Sequence, residues 1–207
     1  ERVARERAAE RQLHVGVRVD PARNDVPGGG VDDLIDCGGQ VDPEQLARTP
    51  ARTPQALPRR PGVTYVGLVL NRKGFERAAA AGCREIGMAI AASDAFSLRN
   101  QGCSTDEAVV AWLEIAAAAR RAGIAAQVTV SVAFGCPFEG ELPVQRVVDV
   151  VRRIAEAEPF EVALADTIGV AVPPQVTELV ARVGEAVPGP ALRCHFHNTR
   201  NTGLANA

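Results

Sequence analysis

From Pro61 onward the chain alternates short aliphatic runs with amphipathic helical segments, and few architectures accept that order. "TYVGLVL" (residues 64–70) reads as a strand and "KGFERAAAAG" as a helix closed by Gly82. "REIGMAI" (84–90) is the next strand. "STDEAVVAWLEIAAAARRAG" then opens on a capping box, Ser104 with Glu107, and ends at Gly123. "AQVTVSVA" (126–133) is β-branched and extended. Pro143 starts a helix, where its missing N–H costs nothing, and Val144, Val147, Val148, Val151, Ile154 and Ala155 share one face. "FEVALAD" (160–166) is a strand. Val176, Leu179, Val180 and Val183 mark a further helix broken by "PGP", and "ALRCHFH" is the last strand.

Five strands separated by helices of crossover length imply a parallel sheet with helices outside it. The composition agrees: 46% hydrophobic with only 4% aromatic suits buried aliphatic strands. Two architectures compete. A doubly wound nucleotide-binding sheet needs G-x-G-x-x-G or G-x-x-x-x-G-K-[ST] after a strand, and neither occurs. A (β/α)8 TIM barrel gathers its polar residues at the carboxyl ends of its strands, and here Asp166 ends one strand while His195 and His197 end another. The reading is therefore α/β, a partial (β/α)8 barrel, with residues 61–207 as the barrel domain.

Residues 1–60 read differently, as an irregular N-terminal region and linker. "LHVGVRV" (13–19) offers a weaker strand pattern and "PGGG" (27–30) breaks any element. "ARTPARTPQALPRRPG" has linker composition without periodicity. A net charge of −2 gives no case for nucleic acid or a membrane surface. No apolar run approaches the ~20 residues of a membrane span. The opening "ERVARERAAERQ" lacks the apolar core of a secretory signal. Five widely spaced cysteines with no C-x-x-C favour a reducing compartment over a disulfide framework or zinc knuckle, so the expected location is cytoplasmic.

Alternate residues of a strand point the same way, so H-x-H puts the imidazoles of His195 and His197 into one space. At the end of a barrel strand that space is the barrel mouth. There the pair serves either as metal ligands awaiting carboxylates or as polar strand-end residues bonded to backbone. Asp166 closes an apolar strand, where a carboxylate needs partners. It reads equally as a catalytic acid/base, an outer-shell orienter of a histidine, or a loop or helix cap. "FGCPFEGE" (134–141), with Cys136 and Glu139, reads as a structural loop more readily than as a thiol nucleophile, since no histidine lies beside it in sequence. Asn100 and Cys103 are polar loop residues of low specificity. His14 reads as structural and Trp112 as core.

Taken together and in order, "GCPFEG", "LADTIGVAVP" and "HFHNTRNTGLANA" resemble the 3-hydroxy-3-methylglutaryl-CoA lyase family of metal-dependent TIM-barrel enzymes. "NRKGFERAAAAG" and "AASDAFSLRNQGCSTDEA" fit the same family, so the resemblance runs from about Arg60 to Ala207. It implies that the segments are roughly strands 3 to 6 of the eight, with their helices. It also implies a carbon–carbon lyase that cleaves 3-hydroxy-3-methylglutaryl-CoA to acetoacetate and acetyl-CoA by a retro-Claisen reaction, as in leucine degradation and ketone-body formation. Carried over by motif, His195 and His197 are metal ligands for Mg2+ or Mn2+, Asp166 is a catalytic carboxylate, and Thr167 and Asn100 contact substrate. The expected partner is an acyl-CoA substrate, with a homodimer as the expected assembly and no nucleic acid or membrane.

Departures shape the expectations too. The family's early strand ends in an Arg-Asp pair within an "RDGLQNE"-like motif, echoed here only by Arg18 and Asp20. Its glycine-rich cysteine loop and a further asparagine ligand have no match. Asn198 stands where aspartate is common and Asn201 where glycine is common. Turnover by this chain alone is therefore expected to be impaired. Two other readings are an inactive barrel remnant and a Claisen-condensing acyltransferase of the isopropylmalate synthase type.

Overall fold

A computed structural model of the protein describes residues 63–207, and of the earlier residues only a strand at Val15–Val19. Six strands form one sheet: β1 (Val15–Val19), β2 (Val63–Val69), β3 (Glu85–Ala91), β4 (Ala125–Ser131), β5 (Glu161–Asp166) and β6 (Ala191–Phe196). Their spatial order is their chain order, and β2 to β6 are all parallel. The helices are α1 (Arg72–Ala80), α2 (Asp94–Asn100), α3 (Thr105–Arg121), α4 (Val144–Ala155), α5 (Pro173–Ala186) and a single turn, α6 (Gly203–Asn206). This is the expected run of β/α units, and among the described residues the sheet does not close into a barrel.

The strand pattern read at residues 13–19 is present, and the structure adds its direction. Val15–Val19 is a strand, and it pairs antiparallel with β2. An antiparallel neighbour is not a β/α unit, because such units deliver parallel strands through a helical crossover. His14, Cys37, Asp20 and the proline-rich linker lie outside the described residues.

The two faces of the sheet have different chemistry. Ile86, Met88, Ile90, Val128, Val130, Val162 and Leu164 point toward the helices and are essentially inaccessible. Each such side chain contributes about 1.5–3 kcal/mol by leaving water. Trp112 on α3 completes this layer, wholly buried, with its indole N–H donating to Ile154 O at 3.0 Å. Among the described cysteines, Cys103, Cys136 and Cys194 are free thiols.

Alternate residues point to the other face, the barrel side, which begins with a polar row. Gln127 donates to Glu85 at 2.7 Å, and Arg193 reaches both Gln127 Oε1 (3.1 Å) and Glu161 (2.7 Å). Glu85 and Glu161 open their strands, so this row braces the amino-terminal end of the sheet. The carboxyl end, where the loops gather, is left for chemistry.

Candidate active site

His195 and His197 stand at the carboxyl end of β6, with ring centroids 4.9 Å apart and planes inclined at 60°. His195 pairs in register with Ala165, so both rings lie on the barrel side of the sheet. Desolvation pushes the His195 imidazole below the ordinary histidine value. The neighbouring His197 and Arg193 act in the same direction, and Asp166 opposes them. His195 is therefore a neutral lone-pair donor at neutral pH. Both residues remain open to solvent.

Asp166 ends β5 in the opposite orientation, almost wholly buried. Its carboxylate is engaged on both oxygens: Val170 N–H donates to Oδ1 at 2.9 Å and Ala171 N–H to Oδ2 at 3.1 Å. The side chain thus shapes the loop between β5 and α5 and acts on His195 by charge. Beside it, Thr167 Oγ1 accepts the Val132 N–H at 2.8 Å. Val132 follows β4, is buried, and has φ 53°, a left-handed conformation that a β-branched residue rarely adopts. Thr167 holds this strained end in place.

The histidine strand and the Asp166 loop are also locked together. Gly169 has φ 67°, and a Cβ there would fall 2.7 Å from Thr199 Cβ and 2.9 Å from Thr199 N. Only glycine allows that approach. Asn201 also takes a left-handed conformation, φ 60°, with its N–H bonded to Asn198 O at 3.1 Å. Asparagine tolerates this conformation better than most other side-chain-bearing residues.

Asn100 closes α2, exposed to solvent. Helix α2 lies between the end of β3 and the start of α3, so topology keeps Asn100 on the same end of the sheet as the histidines. The "GCPFEGE" segment is a structural loop. Cys136 is buried and bridges Gly140 in both backbone directions. Ser93 Oγ donates to Glu139 Oε1 at 2.5 Å, which leaves the Cys136 thiol, 3.1 Å away, to donate to Ser93. Glu139 also accepts the Ala95 N–H at 3.0 Å and pairs with Arg146 at 2.6 Å. These bonds hold the carboxylate below its ordinary pKa, Ser93 contributing most, then Ala95, with Arg146 adding to them. Ser93, Val132, Thr199 and Asn206 do not stand out in the sequence as site-building residues, whereas Glu139 does so only as a neighbour of Cys136. The capping position of Ser93 before α2 was the one local signal available.

Two facing imidazoles suit two positions in the shell of a divalent ion. Among the described residues, however, no group of three or more His, Cys, Asp or Glu side chains is placed to hold one. The pair fits a metal as part of a ligand set, not as a complete site.

Comparison with known proteins bears on the family and the fold. The family model HMGL-like matches residues 52–207. Hydroxymethylglutaryl-CoA lyase of Pseudomonas mevalonii is 41% identical over 150 residues, 72% of this chain and 50% of that protein. (R)-citramalyl-CoA lyase of Chloroflexus aurantiacus is 39% identical over 143 residues, 69% of this chain and 45% of that one. The crystal structure of hydroxymethylglutaryl-CoA lyase from Pseudomonas aeruginosa superposes with a TM-score of 0.72 at 34% identity, covering 80% of this chain and 56% of that one. The chain thus spans about half the length of the curated relatives it matches. Its sheet corresponds to part of their barrel, and it belongs to the HMGL-like family.

Proposed function

We propose that this chain carries the histidine-pair side of a metal-dependent acyl-CoA lyase. Its reaction is retro-Claisen cleavage of 3-hydroxy-3-methylglutaryl-CoA to acetoacetate and acetyl-CoA. The observation that supports this most is the H-x-H at the end of β6, beside β5 and followed by Thr199 against Gly169, in a chain 41% identical to an enzyme of that name. The similar identity to a citramalyl-CoA lyase makes the acyl group the open variable and the CoA thioester the constant.

In this cleavage the substrate's 3-hydroxyl loses its proton and becomes a ketone. The carbon–carbon bond breaks, and its electron pair passes to the thioester fragment, which takes up a proton to become acetyl-CoA. Mg2+ or Mn2+ on His195 and His197 would polarise the substrate oxygens and offset charge as it develops. The protein's own residues prepare that site. The depressed pKa of His195 keeps its lone pair available at neutral pH. The charge of Asp166, fixed by two amides, limits how far that pKa falls. Thr167 and Gly169 fix the loop against the end of β4 and against Thr199, two residues after His197. Asn100 lies on the same end of the sheet, consistent with a substrate contact.

Because the described residues provide only two metal donors, slow turnover is expected, and the remnant reading draws on the same observation. We also infer a cytoplasmic, homodimeric protein, from the cysteine pattern and the family resemblance. No helix among the described residues is long and apolar enough to cross a membrane. The test is product analysis with Mn2+. Acetoacetate and acetyl-CoA formed one for one from 3-hydroxy-3-methylglutaryl-CoA support the lyase. Condensation of acetyl-CoA with a 2-oxo acid would replace it with the synthase reading. Neither reaction, with any acyl-CoA offered, would leave the remnant.

A further inference from the structure

We propose that Asn206 is a positioning residue for the histidine pair, an inference that rests on the lyase reading above. Asn206 sits in the one-turn helix α6 and is only 8% exposed. Its Nδ2 donates to Ala171 O at 2.9 Å, across 35 residues of sequence. Ala171 is the residue whose N–H donates to Asp166 Oδ2. One peptide segment is thus gripped on its N–H by Asp166, from β5, and on its carbonyl by Asn206, from the segment that follows the histidines.

The near end of that segment is tied as firmly. Asn198, the residue after His197, accepts the Gly203 N–H on Oδ1 at 3.0 Å, so the start of α6 is bonded to the histidine strand. A Cβ at Gly203 would crowd the same side chain at 3.1 Å. Thr199 fills the space above Gly169. The path from His197 to Asn206 is therefore a short, closed strap with one end at the metal-capable ring and the other on the Asp166 loop. Within this strap the polar use of Asn206 is specific. Its Oδ1 is buried with no hydrogen-bond partner, and only the Nδ2 side is engaged. The one bond this buried amide makes is therefore the bond to the Ala171 carbonyl, which needs a donor such as its NH2.

A residue in this role affects metal affinity through the angle of His197, as outer-shell partners do. The test is Ni2+ titration of the full chain, followed on the His195 and His197 ring resonances, with hydrogen exchange at the Val170 and Ala171 amides. Asn206→Asp keeps the shape of the side chain and removes the donor. It is expected to speed exchange at Ala171 and weaken Ni2+ binding by about tenfold. Asn198→Ala frees the other end of the strap and is expected to weaken Ni2+ similarly, which provides a second test if Asn206→Asp does not fold. Faster exchange with unchanged Ni2+ affinity in the variants would show a merely structural bond and overturn the proposal. So would unchanged behaviour in both measurements. A wild-type chain with no Ni2+ affinity at the pair would overturn both this inference and the lyase reading. Ni2+ binding without acetoacetate formation would refute only the lyase reading.

Discussion

Asp166 and Ala171 are joined across five residues by an amide-to-carboxylate hydrogen bond of 3.1 Å, and Val170 takes the other carboxylate oxygen at 2.9 Å. A buried charge satisfied in this way is worth more than a neutral contact. Asp166→Asn puts an amide NH2 against one of the two N–H donors and removes the charge. The variant is expected to lose about 1.5–3 kcal/mol of stability, the range for hydrogen bonds to charged groups, read as a shift in urea midpoint. The same variant should lower the His195 pKa further, because Asp166 is the influence that raises it. An NMR titration of the imidazole checks the sign.

Gly169→Ala tests the contact between the two loops. At φ 67° an added Cβ is strained by its own backbone, and it meets Thr199 at 2.7 Å and its N at 2.9 Å. Destabilisation of about 1–3 kcal/mol is expected from the backbone strain alone. A paired Gly169→Ala/Thr199→Gly variant should recover the part due to the Thr199 side chain but not the part due to φ or to the Thr199 backbone N. Equal stability of the single and double variants would show that the loops do not press on one another.

Glu139 predicts an acid-sensitive latch. Its carboxylate is bonded to Ser93, Ala95 and Arg146, and its folded pKa is depressed below the unfolded value. The unfolded state therefore binds a proton more readily. The stabilisation is fully present above the unfolded pKa and is lost as pH falls through the folded one. Urea denaturation across the acidic range should show wild-type stability falling in that window. The fall should be shallower in Glu139→Gln, which has no such proton to gain.

Much of this was legible in the sequence because it depends on local pattern. The alternation of aliphatic runs and helical stripes placed five parallel strands within a residue or two of their observed ends. H-x-H required its two rings to share a face, whatever surrounds them. Val15–Val19 was legible as a strand but not as an antiparallel one, because direction is set by its partner β2 and not by its own residues. The part played by Asp166 was left open because a carboxylate at a strand end suits catalysis and capping alike. It is the positions of the Val170 and Ala171 amides that give it a loop-holding part. Asn206 was invisible for the same reason: its partner is 35 residues away, and nothing adjacent in the chain announces it.

The most direct measurement of the central claim is acetoacetate release from 3-hydroxy-3-methylglutaryl-CoA with Mn2+, compared between wild type, His195→Ala and His197→Ala. If the pair on β6 holds the metal, each single variant should lose Mn2+ affinity by at least about a hundredfold, the upper end for losing even an outer-shell partner. Product formation should fall with it, while the fold measured by circular dichroism stays intact. Acetoacetate release that persists unchanged in both variants would contradict the assignment of the chemistry to these histidines.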